Sequence, residues 1–292
     1  MSRVVVFVLL ALCCSAAFAA PNLNAQSGYV QLPDATVTPA GEVDLSVAYL
    51  RTSQTNDLAK MVDPDLSGVG ESWDGRVVTG IGNRVEIGGS FLNARNDAGD
   101  TNSWNAAAKV KVYEKDGLTV ALGASYRKFD SDIELQGDFF PGPAIDVEVD
   151  MPTVTSVYLV MDSCWKTSPD SAWNWKASYG VMWDRYTATE QKIEITDPMD
   201  GTIVVSAGIP SEEFFRPIIG ASVTNGDWTF MTEYKTKETQ DGVIYSSAVW
   251  SAAVRKQLSD NLAITAGTTN FNLPYSDSKQ GVFADLTYSF GK

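Results

Sequence analysis

Charged side chains recur at alternate positions inside otherwise apolar stretches. Seven are acids: Glu42, Asp44, Asp74, Glu86, Asp184, Glu233 and Asp285. Eight are bases: Arg76, Arg84, Lys109, Lys111, Arg127, Lys176, Lys235 and Arg255. Paired carboxylates can do general acid–base work, yet little that would make a catalytic site accompanies them. The chain has no histidine, so no serine or cysteine has an imidazole to activate it. No GxSxG elbow, Gly-rich phosphate loop or Cys/His metal-ligand spacing is present. The acidic run Asp57 to Asp65 lacks the spacing of an EF-hand loop. The expectation is a protein without catalytic, cofactor-binding or metal-binding residues. A formal charge of −14 also makes nucleic acid a poor partner.

Elements that would hold these charges on one face are strands. From Glu42 onward, period-two runs of about ten residues recur twelve times. They are Glu42–Arg51, Trp73–Ile81, Arg84–Arg95, Trp104–Glu114, Leu118–Phe129, Thr153–Ser163, Trp173–Tyr186, Arg216–Thr224, Trp228–Lys237, Ser247–Leu258, Leu262–Phe271 and Gly281–Phe290. Leu118, Val120, Leu122, Ala124 and Tyr126 share one face, against Thr119, Ala121, Gly123, Ser125 and Arg127. The last run sets Val282, Ala284, Leu286, Tyr288 and Phe290 against Phe283, Asp285, Thr287 and Ser289. Trp73, Trp104, Trp175, Trp228, Tyr49 and Tyr288 stand at the ends of apolar faces, as at a lipid–water interface.

The connections alternate between tight turns, such as Gly82-Asn83 and Lys115-Asp116-Gly117, and longer loops. That layout predicts an all-β, antiparallel, up-and-down transmembrane barrel of twelve strands with both termini on the periplasmic side. An open sheet edge in lipid leaves backbone groups unpaired at several kcal/mol each, so the first run must pair with the last. Within the longest loop, Lys192 to Ile195 and Thr202 to Val205 read as a hairpin projecting beyond the membrane.

Residues 1–19 have the layout of a secretory signal peptide: Arg3, an apolar run over Val4 to Leu12, then Ala17-Phe18-Ala19. The mature start is expected near Ala20, with residues 20–41 as a periplasmic lead-in and 42–292 as the barrel. Once the signal is removed only Cys164 remains, so no internal disulfide can form. Acidic residues in the long loops far outnumber Lys60, Lys192 and Lys279. Divalent cations bridging these loops to lipopolysaccharide would make both partners at the surface.

The lead-in residues Gly28-Tyr29-Val30, Leu32-Pro33-Asp34-Ala35 and Pro39-Ala40-Gly41 resemble the N-terminal motif of YjbH-like exopolysaccharide-associated outer-membrane proteins. Leu286-x-Tyr288-x-Phe290 resembles the C-terminal signal read by barrel-assembly machinery, although Gly291 and Lys292 follow the aromatic residue. The first resemblance implies a role in exopolysaccharide production or export. The residues themselves leave two readings open. One is a narrow, weakly selective passive channel for small polar solutes, its wall charges nearly balanced in sign. The other is a non-conducting envelope scaffold. On either reading, lumen-facing Ser125 and Ser178 should accept arginine, whereas lipid-facing Leu122 and Val181 should not.

Overall fold

The computed structural model describes residues 22–55, 69–96, 99–133, 137–138, 144–148, 150–168, 170–197, 201–270, 274, 277–278 and 280–291. The expected signal peptide, the start near Ala20 and the Asp57–Asp65 run lie outside these residues. Nineteen strands are present among them. In chain order they begin with β1 (Val43–Thr55), β2 (Val69–Ile81), β3 (Val85–Asn96), β4 (Gly99–Lys115) and β5 (Leu118–Ile133). Then come β6 (Gly137–Asp138), β7 (Ala144–Glu148), β8 (Val154–Lys166), β9 (Trp173–Tyr186), β10 (Thr189–Asp197) and β11 (Gly201–Ile209). The chain continues with β12 (Glu212–Asn225), β13 (Trp228–Lys235), β14 (Glu238–Gln240) and β15 (Val243–Ser246). It ends with β16 (Val249–Ser259), β17 (Leu262–Asn270), β18 (Asp277–Ser278) and β19 (Gln280–Phe290).

Twelve of these strands close a barrel. β1 pairs antiparallel with β19, from Val43 opposite Phe290 to Arg51 opposite Val282, and on its other side with β2. The remaining neighbours follow in chain order through β3, β4, β5, β8, β9, β12, β13, β16 and β17. Closure leaves the barrel wall no free edge, which is the condition lipid imposes. All twelve expected runs are barrel strands. Several extend further than their apolar alternation, as β4 does back to Gly99 and β5 on to Ile133. Backbone pairing does not stop where lipid stops, whereas the apolar pattern does. The tight turns fall where expected: Asp116 and Gly117 both take positive φ, as a two-residue hairpin turn between twisted strands requires.

The wall is apolar outside. Leu122 is 44% exposed while its neighbour Ala121 is fully buried, and β19 alternates strictly along its length. Aromatic pairs mark both rims of the apolar band. At the long-loop end Tyr49 meets Trp73 at 4.9 Å between ring centroids and Trp104 meets Tyr126 at 5.3 Å. At the short-turn end Trp165 stacks on Trp175, and the Lys256 ammonium sits 4.5 Å from the Trp228 ring.

Beyond the long-loop end β10 and β11 form the expected hairpin. It is longer than the sequence pattern suggests and carries β7 and β6 on its β10 side. A smaller hairpin, β14–β15, connects β13 to β16 and turns inward, burying Tyr245, Ser246 and Ser247.

Candidate functional site: the occupied lumen

Residues 22–38 of the expected lead-in lie inside the barrel, in correction of a position outside it, and Pro39 to Gly41 are exposed. Residues Gln26 to Asp34 are all buried and form no regular element. Their backbone groups still need partners, and the inward side chains of the wall supply them. Glu233 on β13 accepts three consecutive backbone N–H groups, from Val30 (3.2 Å), Gln31 (2.8 Å) and Leu32 (2.9 Å). Glu86 on β3 accepts from the N–H groups of Ser27 and Thr38, both at 2.8 Å, and from the Thr38 hydroxyl. Asp162 on β8 accepts from Ala35 N–H at 3.0 Å and from the Ser178 hydroxyl.

The wall's cations complete the grip. Lys109 on β4 donates to the carbonyls of Ser27 (2.9 Å) and Asp34 (3.2 Å) and lies 3.3 Å from Glu86. Lys176 on β9 pairs with the Asp34 carboxylate, and its ammonium stands 5.0 Å from the centre of the Tyr29 ring. Arg127 on β5 donates to the Leu23 carbonyl at 3.1 Å and to the Asn24 side chain. Charge-assisted bonds of this kind are about twice as strong as neutral ones, and the surrounding protein excludes the water that would compete for them.

Shape is matched as closely as charge. A Cβ added to Gly88 would lie 2.0 Å from the Ala25 carbonyl oxygen, and one on Gly220 would lie 2.5 Å from the Tyr29 ring. The segment folds on itself too. Gly28 bridges to Pro33, and Tyr29 N–H bonds the Leu32 carbonyl at 3.0 Å. A Cβ on Gly28 would fall 2.3 Å from that same carbonyl oxygen. Apolar contacts fill the remainder. Val30 and Tyr29 belong to a cluster with Leu50, Phe129, Met231 and Phe283, while Leu32 and Ala35 pack with Tyr158, Val160 and Ile218.

Between segment and wall, two cavities stand out among the described residues. One, of about 60 Å³, lies towards the long-loop end, between Gln26, Gln31 and Pro33 of the segment and Asp184, Lys235 and Tyr245. The other, of about 70 Å³, lies beside Tyr29 and Asp34 near Lys176 and Arg255. Each has room for a few waters. Over the first cavity, the β14–β15 hairpin is pinned by Lys235, which reaches Asp184 at 2.7 Å and Glu238 at 2.9 Å. Tyr186 donates its hydroxyl to Glu238 at 2.6 Å. Burial pushes the Glu238 carboxyl up to about 7, against the pull of the Lys235 ammonium.

Most of the predicted lumen residues do face inward. Glu86, Lys109, Arg127, Lys176 and Glu233 hold the segment. Asp184 and Lys235 hold the hairpin. Arg76 pairs with Asp285 and lies 3.6 Å from Asp74, and Arg255 donates to Thr265 at 3.1 Å. Asp44 is buried and accepts from Ser289, and Glu42 is buried at the foot of β1. Two predicted residues do not join them. Arg84 lies in the turn after β2 and is exposed. Lys111, where β4 bulges, pairs at 2.7 Å with exposed Glu114. Both sit at the short-turn rim, where the alternating pattern ends. The residues that grip the segment face protein and not open lumen. Ser178 is committed as well, bonding the Tyr29 hydroxyl at 2.6 Å, so an arginine there would displace Tyr29.

Asp162, Glu238, Gly88 and Gly220 contact the segment or the hairpin at positions that the alternating pattern of charges did not mark. Among the described residues no three potential metal ligands gather.

A search of solved structures returned bacterial barrels. The translocator domain of the autotransporter NalP from Neisseria meningitidis overlays with a TM-score of 0.55 at 10% identity, covering 85% of this chain and 88% of that one. The β domain of the Bordetella autotransporter BrkA overlays at 0.51 with 11% identity, covering 85% and 98%. The fold is that of a bacterial outer-membrane β-barrel. At these identities the likeness carries no statement about activity. No family model and no curated protein matches the sequence, and the resemblance to YjbH-like proteins gains no support from them.

Proposed function

We propose that this is an outer-membrane channel for small polar solutes, closed at rest by its own N-terminal segment. The observation that carries the reading is the seating of residues 22–38 in the lumen, held by side chains from opposite sides of the wall. Their grip is largely polar, made of bonds that water can replace once the segment leaves. The emptied lumen would then expose Glu86, Asp162, Glu233, Lys109, Lys176 and Arg127, a wall of nearly balanced sign. Weak ion selectivity follows from that balance, because opposed charges a few ångströms apart largely cancel beyond a Debye length of about 8 Å. The apolar outer band and its aromatic rims support a seat in the outer membrane, where lipopolysaccharide would surround the long-loop end and the barrel-assembly machinery would insert the chain.

Planar-bilayer recording tests this reading. The wild-type protein should be quiet, with rare small steps. The double variant Gly88→Val with Gly220→Leu puts side chains where Ala25 and Tyr29 sit, and should open frequently with little ion preference. Continued silence of that variant, with heat-modifiable migration proving a folded barrel, would favour the non-conducting scaffold. Steady wild-type conductance equal to that of the variant would show that the segment is no barrier.

A further inference from the structure

We infer that the lumen is a peptide-binding site which residues 22–38 occupy in cis. The exchangeable ligand would be a turn-forming peptide of the type Gly-aromatic-x-x-Leu-Pro-Asp, carried by another protein. The inference rests on the channel reading only in taking the segment to be displaceable.

Two layers of recognition support it. The first reads backbone: Glu233, Glu86 and Asp162 together accept six N–H groups, and Lys109 donates to two carbonyls. These bonds fix which backbone groups stand where, so the wall fits a chain turned as this one is and not any filler of equal volume. The second layer reads side chains. Only glycine fits at position 28, against the Leu32 carbonyl. The Tyr29 ring lies against Gly220 beside the Lys176 ammonium, with its hydroxyl on Ser178. Gln31 reaches the Asn270 carbonyl at 2.7 Å. The Asp34 carboxylate meets two cations, Lys176 and, at 3.9 Å, Lys109. A site with these contacts selects a sequence and a turn, not merely a volume.

The tether is short and accessible. Pro39, Ala40 and Gly41 are exposed between the buried Thr38 and the buried Glu42. The segment can therefore be separated from the folded barrel without touching the site.

The test uses the full chain with a protease site inserted between Ala40 and Gly41, folded and then cut. A fluorescent synthetic peptide spanning Asn22 to Thr38 is added, and its anisotropy is followed. It should enter saturably, and unlabelled peptide should displace it. Peptides bearing Gly28→Val or Asp34→Lys should bind at least about tenfold more weakly, the ratio that about 1.4 kcal/mol gives. Equal binding of all three peptides would overturn the inference. So would failure of the cut segment to exchange against excess peptide, or failure of any peptide to bind after it leaves. Saturable, sequence-selective binding without any change in conductance would support this site while refuting the channel.

Discussion

Replacing Glu233 by Gln should free the N-terminal segment while leaving the barrel folded. In the wild type one carboxylate oxygen accepts from Val30 and Leu32 and the other from Gln31. An amide offers one acceptor oxygen and one NH2 group. Whichever way it turns, at least one buried N–H faces a donor, and a buried group left unpaired costs about 1–3 kcal/mol. The bonds that survive lose their charge assistance, roughly half their strength. Together these losses come to about 3 kcal/mol. A neutral amide is cheaper to bury than a carboxylate, which returns about 1 kcal/mol. The net is about 2 kcal/mol, or roughly thirtyfold in the ratio of open to docked segment. Hydrogen exchange read by mass spectrometry in detergent micelles is the assay. Amides of residues 30–32 should exchange roughly thirtyfold faster, because exchange from a locally opened state follows its population. Amides of β12 and β16, which flank the substituted strand, should keep their wild-type rates. Unchanged exchange at 30–32 would refute the energetic role given to Glu233. Equal acceleration throughout the barrel would show that Glu233 supports the wall instead of holding the segment.

Other substitutions separate the faces. Leu122→Arg puts a charge on the lipid face near mid-membrane at a cost of about 2–4 kcal/mol, and heat-modifiable barrel should fall sharply. Ser125→Arg points into the lumen beside the 60 Å³ cavity, and the barrel should assemble normally. Ser178→Arg should also assemble, yet expel Tyr29 and raise channel opening. Lys235→Met leaves Asp184 and Glu238 buried without their ammonium, so the β14–β15 hairpin should detach at a cost of about 3 kcal/mol, seen as protease cleavage within residues 236–248. The same hairpin should respond to pH. Glu238 ordinarily titrates near 4.5 and is pushed up to about 7 in the closed hairpin, so closure binds a proton. Closure is thus strongest below about 4.5 and weakens as pH rises through 7. Protease sensitivity of that hairpin should increase between pH 5 and pH 8, and a flat profile would show that Glu238 does not set its closure.

The barrel was legible because lipid imposes a period of two on every strand. β9 and β19 alternate so regularly that their inward and outward residues can be named without coordinates. The wall's partner was not legible, for a physical reason. Residues 22–38 lack a period because they form no ladder; their backbone is satisfied by side chains far away in sequence, such as Glu233 for Gln31. Nothing local in the segment records that pairing. The same cause hid Asp162, whose strand carries apolar residues on both faces: Val157 and Leu159 outward, Tyr158 and Val160 inward. An inward Tyr158 looks wrong for a watery pore and right for a lumen that holds Leu32 and Ala35.

That mixture of faces has a consequence for how the lumen works. A pore wall wants hydrated polar groups throughout, and a sealed core wants apolar ones. This lumen has both, with Phe129, Phe283, Met231 and Ile218 beside Glu86, Glu233 and Asp162. The apolar residues reward the segment for entering, while the carboxylates reward only a backbone that turns at Gly28 and returns at Pro33. Burial alone would tolerate many fillings. Buried carboxylates do not, because each is costly unless its own N–H partners arrive. Were the lumen emptied, water would solvate those carboxylates again, which would offset much of the lost bonding and bring an open state within reach. A barrel filled only by apolar packing would have no such return path. On the proposed channel reading, the polar grip would make the closure specific and also reversible.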